Sequence, residues 1–181
     1  NGQITVSLDG TQIKQETFPD YRGGRWGLLT WNSKAEVSDL AITINDNGKS
    51  IEADLTHLAA ENNAYYKSGD VSYIINNGGG NNMVLSTVVS KAFTYSGDIE
   101  ILEGDRMSLV FGSAGSTGGK WYGVELLVKS GSVEIKAFQD HGIGDIITSK
   151  TINEINTEAP IPFKINLTEN GELTIYVNNM E

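Results

Sequence analysis

The sequence contains no cysteine among its 181 residues, and it has only 3 prolines and 2 histidines. The absence of cysteine excludes a disulfide scaffold, thiolate metal sites and a cysteine nucleophile. No apolar run approaches the roughly 20 residues of a membrane-spanning helix. Basic residues are also few, because 13 Lys and Arg stand against 23 Asp and Glu and give a net charge of −10. This balance argues against nucleic acid and anionic membranes as partners, since both select basic surfaces.

The length fits one domain, for which roughly 100–200 residues are usual. The chain opens directly on Asn1-Gly2 and carries no signal-peptide pattern. We therefore expect a fragment or a processed form of a longer protein.

Apolar and polar residues alternate along much of the chain, which would place one row of apolar side chains on one face of a sheet. Turn-forming pairs such as Asp9-Gly10 and Ser130-Gly131 separate the runs. The pattern predicts an all-β, antiparallel two-sheet β-sandwich, and only residues 55–61 favour a short surface helix. The main rows are Ile4, Val6 and Leu8; Phe93, Tyr95, Ile99 and Ile101; Met107, Leu109 and Phe111; Tyr122, Val124, Leu126 and Val128; Val133, Ile135 and Ala137; Phe163, Ile165 and Leu167; and Leu173, Ile175 and Val177.

The two ends of the chain resemble each other. Asn1-Gly2 matches Asn170-Gly171, and the strand pattern of residues 3–8 matches that of residues 172–177. Both segments predict the same strand with the same face inward. A chain that starts and stops on one element is either a cut from a tandem array or a circularly shifted domain.

Residues 21–40 resemble the C-terminal end of laminin-G-like β-sandwich modules, which finish on a Gly-x-x-Gly-Leu-x-x-Trp-x-Ser-x-Ala-x-Phe hairpin. Residues 93–101, 108–111 and 121–126 resemble the middle of such modules. More narrowly, the chain is similar to the fructan-binding carbohydrate-binding modules of bacterial levanases and inulin-processing enzymes. It departs from the pattern at Gly112, where Arg is common, and at Val37, where Phe is usual.

The resemblance implies a jelly-roll or concanavalin-like sandwich in permuted order. Residues 1–43 would be the C-terminal strands of a sandwich module, and residues 44–181 its N-terminal and central part. Residues 13–42 would then complete the sheets begun by residues 71–167, and the two similar end strands would compete for one edge position. We expect either a permuted single domain with one displaced terminal strand or strand exchange between chains.

Trp121 is the residue that most suggests a ligand. It alternates with Tyr122 and Val124, so it shares a face with Glu125 rather than with the apolar row. An aromatic platform beside a carboxylate is the composition of a sugar site. The alternative is that a loop covers this face and Trp121 belongs to the core.

We expect any sugar site to include Trp121 and Glu125, with Arg106, Asp98 and Glu100 as neighbours. The alternative for the carboxylates is a solvated acidic face, because hydrolysis would need one of them to have a raised pKa in a desolvated pocket. Trp31, in the closing hairpin, is either a further ligand contact or a core residue.

Calcium is the metal that the sequence could hold. Asp46, Glu52 and Asp54 provide carboxylates close in sequence, although their spacing is not that of an EF-hand loop. The resemblance implies a structural calcium of this kind, and no cofactor is required.

These observations predict a non-catalytic carbohydrate-binding module, with β-fructan of the levan or inulin type as its polysaccharide or oligosaccharide partner. It would be a secreted or cell-surface bacterial module that targets a neighbouring glycoside hydrolase or transferase to its substrate. The alternative is a structural or adhesive laminin-G-like repeat without a sugar site.

Overall fold

The computed structural model describes residues 2–8, 11–18, 23–52, 58–60, 65–67, 73–75, 81–113, 121–139 and 145–178. Within these ranges the chain forms sixteen β-strands, one short 3-10 turn at Asp46–Gly48 and no α-helix. No helix of the described part is therefore long and apolar enough to cross a membrane. The prediction of an all-β, two-sheet sandwich is confirmed.

The strands follow one another with short connections. Their bounds are β1 Gly2–Leu8, β2 Thr11–Phe18, β3 Gly24–Trp31, β4 Lys34–Ile44, β5 Ile51–Glu52, β6 Leu58–Ala60, β7 Tyr65–Lys67, β8 Tyr73–Ile75, β9 Asn81–Ser90, β10 Phe93–Glu103, β11 Arg106–Ser113, β12 Tyr122–Lys129, β13 Ser132–Gln139, β14 Asp145–Asn153, β15 Ile161–Leu167 and β16 Glu172–Val177.

The strands form two sheets. The first sheet has nine strands in the order β2-β1-β16-β15-β10-β4-β8-β7, with β5 paired to β4. The second sheet has seven strands in the order β14-β13-β12-β11-β3-β9-β6. Every described strand pair is antiparallel except β1 with β16, which is parallel.

The core lies between the two sheets and is made of the alternating apolar rows. Trp26 and Tyr95 pack edge to face across it, with ring centroids 5.8 Å apart, and Tyr95 packs in turn on Phe163. Burying large aromatic side chains in this way gives a sandwich much of its hydrophobic stabilisation. All rows predicted from residue 93 onward lie in this core or against it, and the side chains of the Ile4 row lie outside those described.

The four strands described within residues 2–44 contribute to both sheets. β3 lies between β11 and β9, and β4 lies between β10 and β8. Of the two similar end strands, β16 takes the place beside β15, and β1 is displaced to the outer side of β16. There it runs parallel to β16, with Val6 in register with Leu173.

The predicted surface helix at residues 55–61 is wrong for its described part. Leu58–Ala60 forms β6 and pairs with Val84, Leu85 and Ser86 at the edge of the second sheet. An isolated two-turn helix is marginal in water, whereas addition to a sheet edge satisfies the same backbone groups. The rest of that prediction, residues 55–57 and 61, lies outside the described residues.

Candidate functional site

Two turns meet at one end of the sandwich and enclose an open cavity of about 530 Å³. One turn joins β3 to β4, and the other joins β10 to β11. We call this cavity the turn cleft; the described residues that line it are Trp31, Asn32, Gly104, Asp105 and Arg106.

The close approach of the turns depends on two residues with left-handed backbone conformations. Asn32 has φ +49° and Gly104 has φ +81°. A Cβ atom on Gly104 would lie 2.4 Å from the Ser33 hydroxyl oxygen and 2.5 Å from the Asn32 carbonyl oxygen. Glycine is therefore required at position 104 both for its conformation and for its lack of a side chain.

Ser33 fastens one turn to the other. Its hydroxyl oxygen accepts hydrogen bonds from the backbone N–H groups of Asp105 at 3.1 Å and Arg106 at 3.2 Å. Ser33 is buried, so these N–H groups obtain from it the partner that water would otherwise provide. The floor of the cleft is thus fixed by hydrogen bonds between the turns.

The Arg106 guanidinium is held on two sides by carboxylates. Its Nε donates to Asp105 Oδ1 at 2.8 Å and its Nη2 to Asp105 Oδ2 at 3.2 Å. Its Nη1 lies 4.0 Å from Oε2 of Glu125, which is buried. The hydrogen bonds from Arg106 hold the pKa of the Asp105 carboxyl below its usual value, and the same bonds raise the pKa of Arg106.

The charges continue from the cleft across the outer face of the second sheet. Glu125 lies 3.6 Å from the Lys136 ammonium, and Glu134 lies 3.7 Å from both Lys136 and Lys129. Register explains part of this order, since Glu125 and Lys136 face each other on β12 and β13. The result is a charge ladder with alternating sign: Asp105, Arg106, Glu125, Lys136, Glu134 and Lys129.

Trp121 shares the outer side of the second sheet with Glu125, but it is buried. Its ring packs edge to face on Phe138, with centroids 5.1 Å apart, in a cluster with Leu29 and Val110. Only 3% of its surface is exposed. The burial of Trp121 agrees with the alternative interpretation from the sequence, in which Trp121 is a core residue.

Asp98 and Glu100 are not neighbours of Trp121, so this part of the predicted site is corrected. Both lie on β10 in the first sheet, whereas Glu125 lies on β12 of the second sheet and Trp121 directly precedes that strand. The alternation of residues shows which face of a strand is apolar, but it does not show which sheet the strand joins. Burial, followed by the nearby charge of Asp39, raises the pKa of Asp98.

The predicted metal ligands have other surroundings. The Asp46 carboxylate accepts hydrogen bonds from the backbone N–H groups of Lys91 and Ala92, at 3.1 and 2.8 Å, and from the Ser90 hydroxyl. Glu52 is paired with Thr43 in β5, and Asp54 lies outside the described residues. In the described part of the chain, no three His, Cys, Asp or Glu residues are grouped so that they could hold a metal ion.

Trp31 is the predicted residue that lies in the cleft as an exposed aromatic. It is 40% exposed, and no other aromatic side chain that the structure describes is exposed. Arg106, which the sequence suggested as a neighbour, lines the same cleft. The sequence missed Asn32, Gly104 and Asp105; the only signal for them is the turn-forming Gly104-Asp105 pair.

Comparisons with models of protein families, with curated proteins and with solved structures found no match for this chain.

Proposed function

We propose that this chain is a non-catalytic carbohydrate-binding module whose turn cleft receives a sugar residue of a β-fructan. The observation that carries the proposal is the exposed Trp31 ring in an open cleft beside the Asp105–Arg106 pair. The resemblance to fructan-binding modules supports the choice of ligand.

The cleft combines the two kinds of group that bind a sugar. An indole ring offers an apolar surface to the C–H face of a sugar ring. The Asp105 carboxylate, whose side chain is 48% exposed, has lone pairs that can accept hydrogen bonds from hydroxyl groups. Few polar groups at fixed positions around an apolar surface are typical of small-ligand sites.

The charges favour a neutral ligand. Arg106 is the only cation that lines the described part of the cleft, and it is already flanked by Asp105 and Glu125. An anionic ligand would have to displace one of these carboxylates or accept its repulsion. A fructan consists of uncharged residues, so it meets neither cost.

The same arrangement supports binding rather than hydrolysis. Glycoside hydrolysis requires two carboxyl groups, one of which has a raised pKa and acts as the acid. The described lining of the cleft holds one carboxylate, Asp105, and its pKa is lowered. We place the module in a secreted or cell-surface bacterial protein, where it would hold a neighbouring enzyme at its polysaccharide.

The test is affinity electrophoresis and titration calorimetry with levan and inulin. Truncation of an anchoring aromatic commonly costs about 2 kcal/mol, so Trp31→Ala should weaken binding by roughly thirtyfold. The matched control is Ile51→Ala, which removes an exposed apolar side chain outside the cleft and should leave binding unchanged. Failure of the folded chain to bind any fructan would refute the ligand, and unchanged binding by Trp31→Ala would refute the site.

A second candidate function is a structural or adhesive laminin-G-like repeat with no sugar site. Two observations favour it: Trp121 is buried, and Gly112 replaces the usual Arg. Gly112 has φ +68°, and its backbone lies so close to β3 that a Cβ on Gly24 would be 2.4 Å from the Gly112 carbonyl carbon. Because the backbone at this point favours glycine, restoring the Arg would strain it. If this second function is correct, no polysaccharide should slow the migration of the folded chain in affinity electrophoresis.

A further inference from the structure

Glu125 contacts Arg106 although it does not line the turn cleft. In the register of β11 and β12, Glu125 pairs with Ser108, and Arg106 pairs with Leu127. Glu125 and Arg106 are therefore diagonal neighbours on one face of the second sheet, at a spacing that long side chains can bridge. The Arg106 Nη1 lies 4.0 Å from the Glu125 Oε2, so the buried carboxylate faces the guanidinium from outside the cleft.

The two side chains differ in their access to solvent. The Arg106 side chain is 27% exposed, whereas that of Glu125 is 7% exposed. A ligand in the cleft can therefore reach the guanidinium but not the Glu125 carboxylate. A buried carboxylate also acts more strongly on a neighbouring charge than an exposed one does, because less water and salt screen it. Glu125 can thus influence a ligand by its charge and through Arg106, without direct contact.

The carboxylates of Asp105 and Glu125 hold Arg106 in different ways. Asp105 accepts two hydrogen bonds from the guanidinium, but its side chain is 48% exposed. Water screens this pair, so an incoming anion can displace Asp105. Glu125 is buried, and its Oε1 lies 3.6 Å from the ammonium of Lys136, its register partner on β13. An anion therefore cannot displace Glu125 in the same way, and its negative charge stays beside the guanidinium.

We propose that Glu125 determines the charge selectivity of the turn cleft: it neutralises Arg106 from outside the cleft and so restricts the cleft to uncharged ligands. The inference rests on the proposed function and deepens it, because it concerns the class of ligand that the same cleft accepts. An arginine without such a partner binds phosphate and carboxylate oxygens strongly. Without the charge of Glu125, Arg106 would keep only the displaceable Asp105, and the cleft would accept anions.

Titration calorimetry with inorganic phosphate at low salt tests this inference. Glu125→Gln keeps the shape of the side chain and removes its charge, so the variant should bind phosphate at least roughly tenfold more tightly than the original chain. Adding Arg106→Gln to this variant should abolish the gain. The matched control is Glu134→Gln, which removes the same charge from the charge ladder but pairs with Lys129 and Lys136. It should bind phosphate no better than the original chain. Equal gains in the two single variants, or no gain in folded Glu125→Gln, would overturn the inference.

Asp105→Asn tests the same inference at an exposed position, where the substitution leaves the fold intact even if Glu125→Gln does not fold. This variant retains Glu125 beside Arg106, so it should bind phosphate no better than the original chain. Phosphate binding that rises roughly tenfold in Asp105→Asn would show that Asp105, rather than Glu125, excludes anions. Because no fructan enters these titrations, their outcome is independent of fructan binding: a folded chain that binds no fructan refutes the proposed ligand, whereas the phosphate titrations decide the role of Glu125.

Discussion

Asp105 holds the guanidinium of Arg106, its neighbour in sequence, through two hydrogen bonds of 2.8 and 3.2 Å. Adjacent residues within a strand point to opposite faces. Asp105 can reach Arg106 because it precedes β11 and belongs to the turn that Ser33 fastens. The pair is therefore held in place by contacts within the fold, and a ligand that binds beside it would not have to order these two side chains.

We predict that Asp105→Asn lowers stability at neutral pH by at most about 1 kcal/mol, because the pair is substantially exposed and screened by solvent. The pKa of Asp105 is lowered in the folded chain. Its stabilising effect is thus complete above the unfolded pKa of about 3.9 and is lost as the pH falls through the lower folded pKa. Urea denaturation should show a difference between the variant and the original chain at pH 7 that shrinks as the pH is lowered below about 3.9. Glu158→Gln, which changes an exposed carboxylate elsewhere, should show no such difference at pH 7.

We predict that Gly104→Ala destabilises the chain more than Gly131→Ala. Both glycines have positive φ, +81° and +71° respectively, so both substitutions strain the backbone. A Cβ at position 131 meets nothing within 4 Å, whereas one at position 104 meets Ser33 and Asn32. Thermal denaturation should show that the free energy of unfolding falls by about 1 kcal/mol in Gly131→Ala and by about 2–4 kcal/mol in Gly104→Ala. If both variants lost the same stability, the turn at Gly104 could move away from the turn at Asn32 and Ser33 without an energetic cost.

We predict that Glu125→Ala lowers the free energy of unfolding by about 2 kcal/mol, since it leaves Arg106 and Lys136 without their shared buried partner. Glu134→Ala, further along the charge ladder and more exposed, should cost less than about 1 kcal/mol. Urea denaturation at low and moderate salt measures both. If Glu125→Ala lost no more stability than Glu134→Ala, the burial of Glu125 would not increase its contribution to stability.

The alternation of residues predicted the faces of the strands well. Leu109, Val124 and Ile165 all point into the core as their spacing indicates. It could not predict the sheet to which each strand belongs, because strand order depends on contacts between distant segments. The sequence offered Arg106 and Asp98 alike as neighbours of Glu125, but Arg106 lies with Glu125 in the second sheet, whereas Asp98 lies in the first sheet.

Little in the sequence indicated the turn cleft. Asn32 and Gly104 acquire their positive φ values where two turns 72 residues apart are joined by Ser33. Similarly, the exposure of Trp31 and the burial of Trp121 cannot be told from their strand positions, because both depend on what the rest of the fold places over them. The sequence therefore left the same two alternatives open for each residue.

We predict that the Trp121→Ala variant is less stable than the Trp31→Ala variant. If Trp121 were the exposed residue of the two, the opposite order would be expected. Trp121 is 3% exposed and packs on Phe138, so its removal leaves a large cavity and should cost about 3–5 kcal/mol. Trp31 is 40% exposed, so its removal should cost less than about 1.5 kcal/mol. Urea denaturation monitored by circular dichroism measures both losses of stability. Phe138→Ala should lose about as much as Trp121→Ala, because it removes a large side chain from the same cluster. If Trp121→Ala kept its stability within about 1 kcal/mol while losing fructan binding, the binding surface would lie around Trp121, and the turn cleft would not be the site.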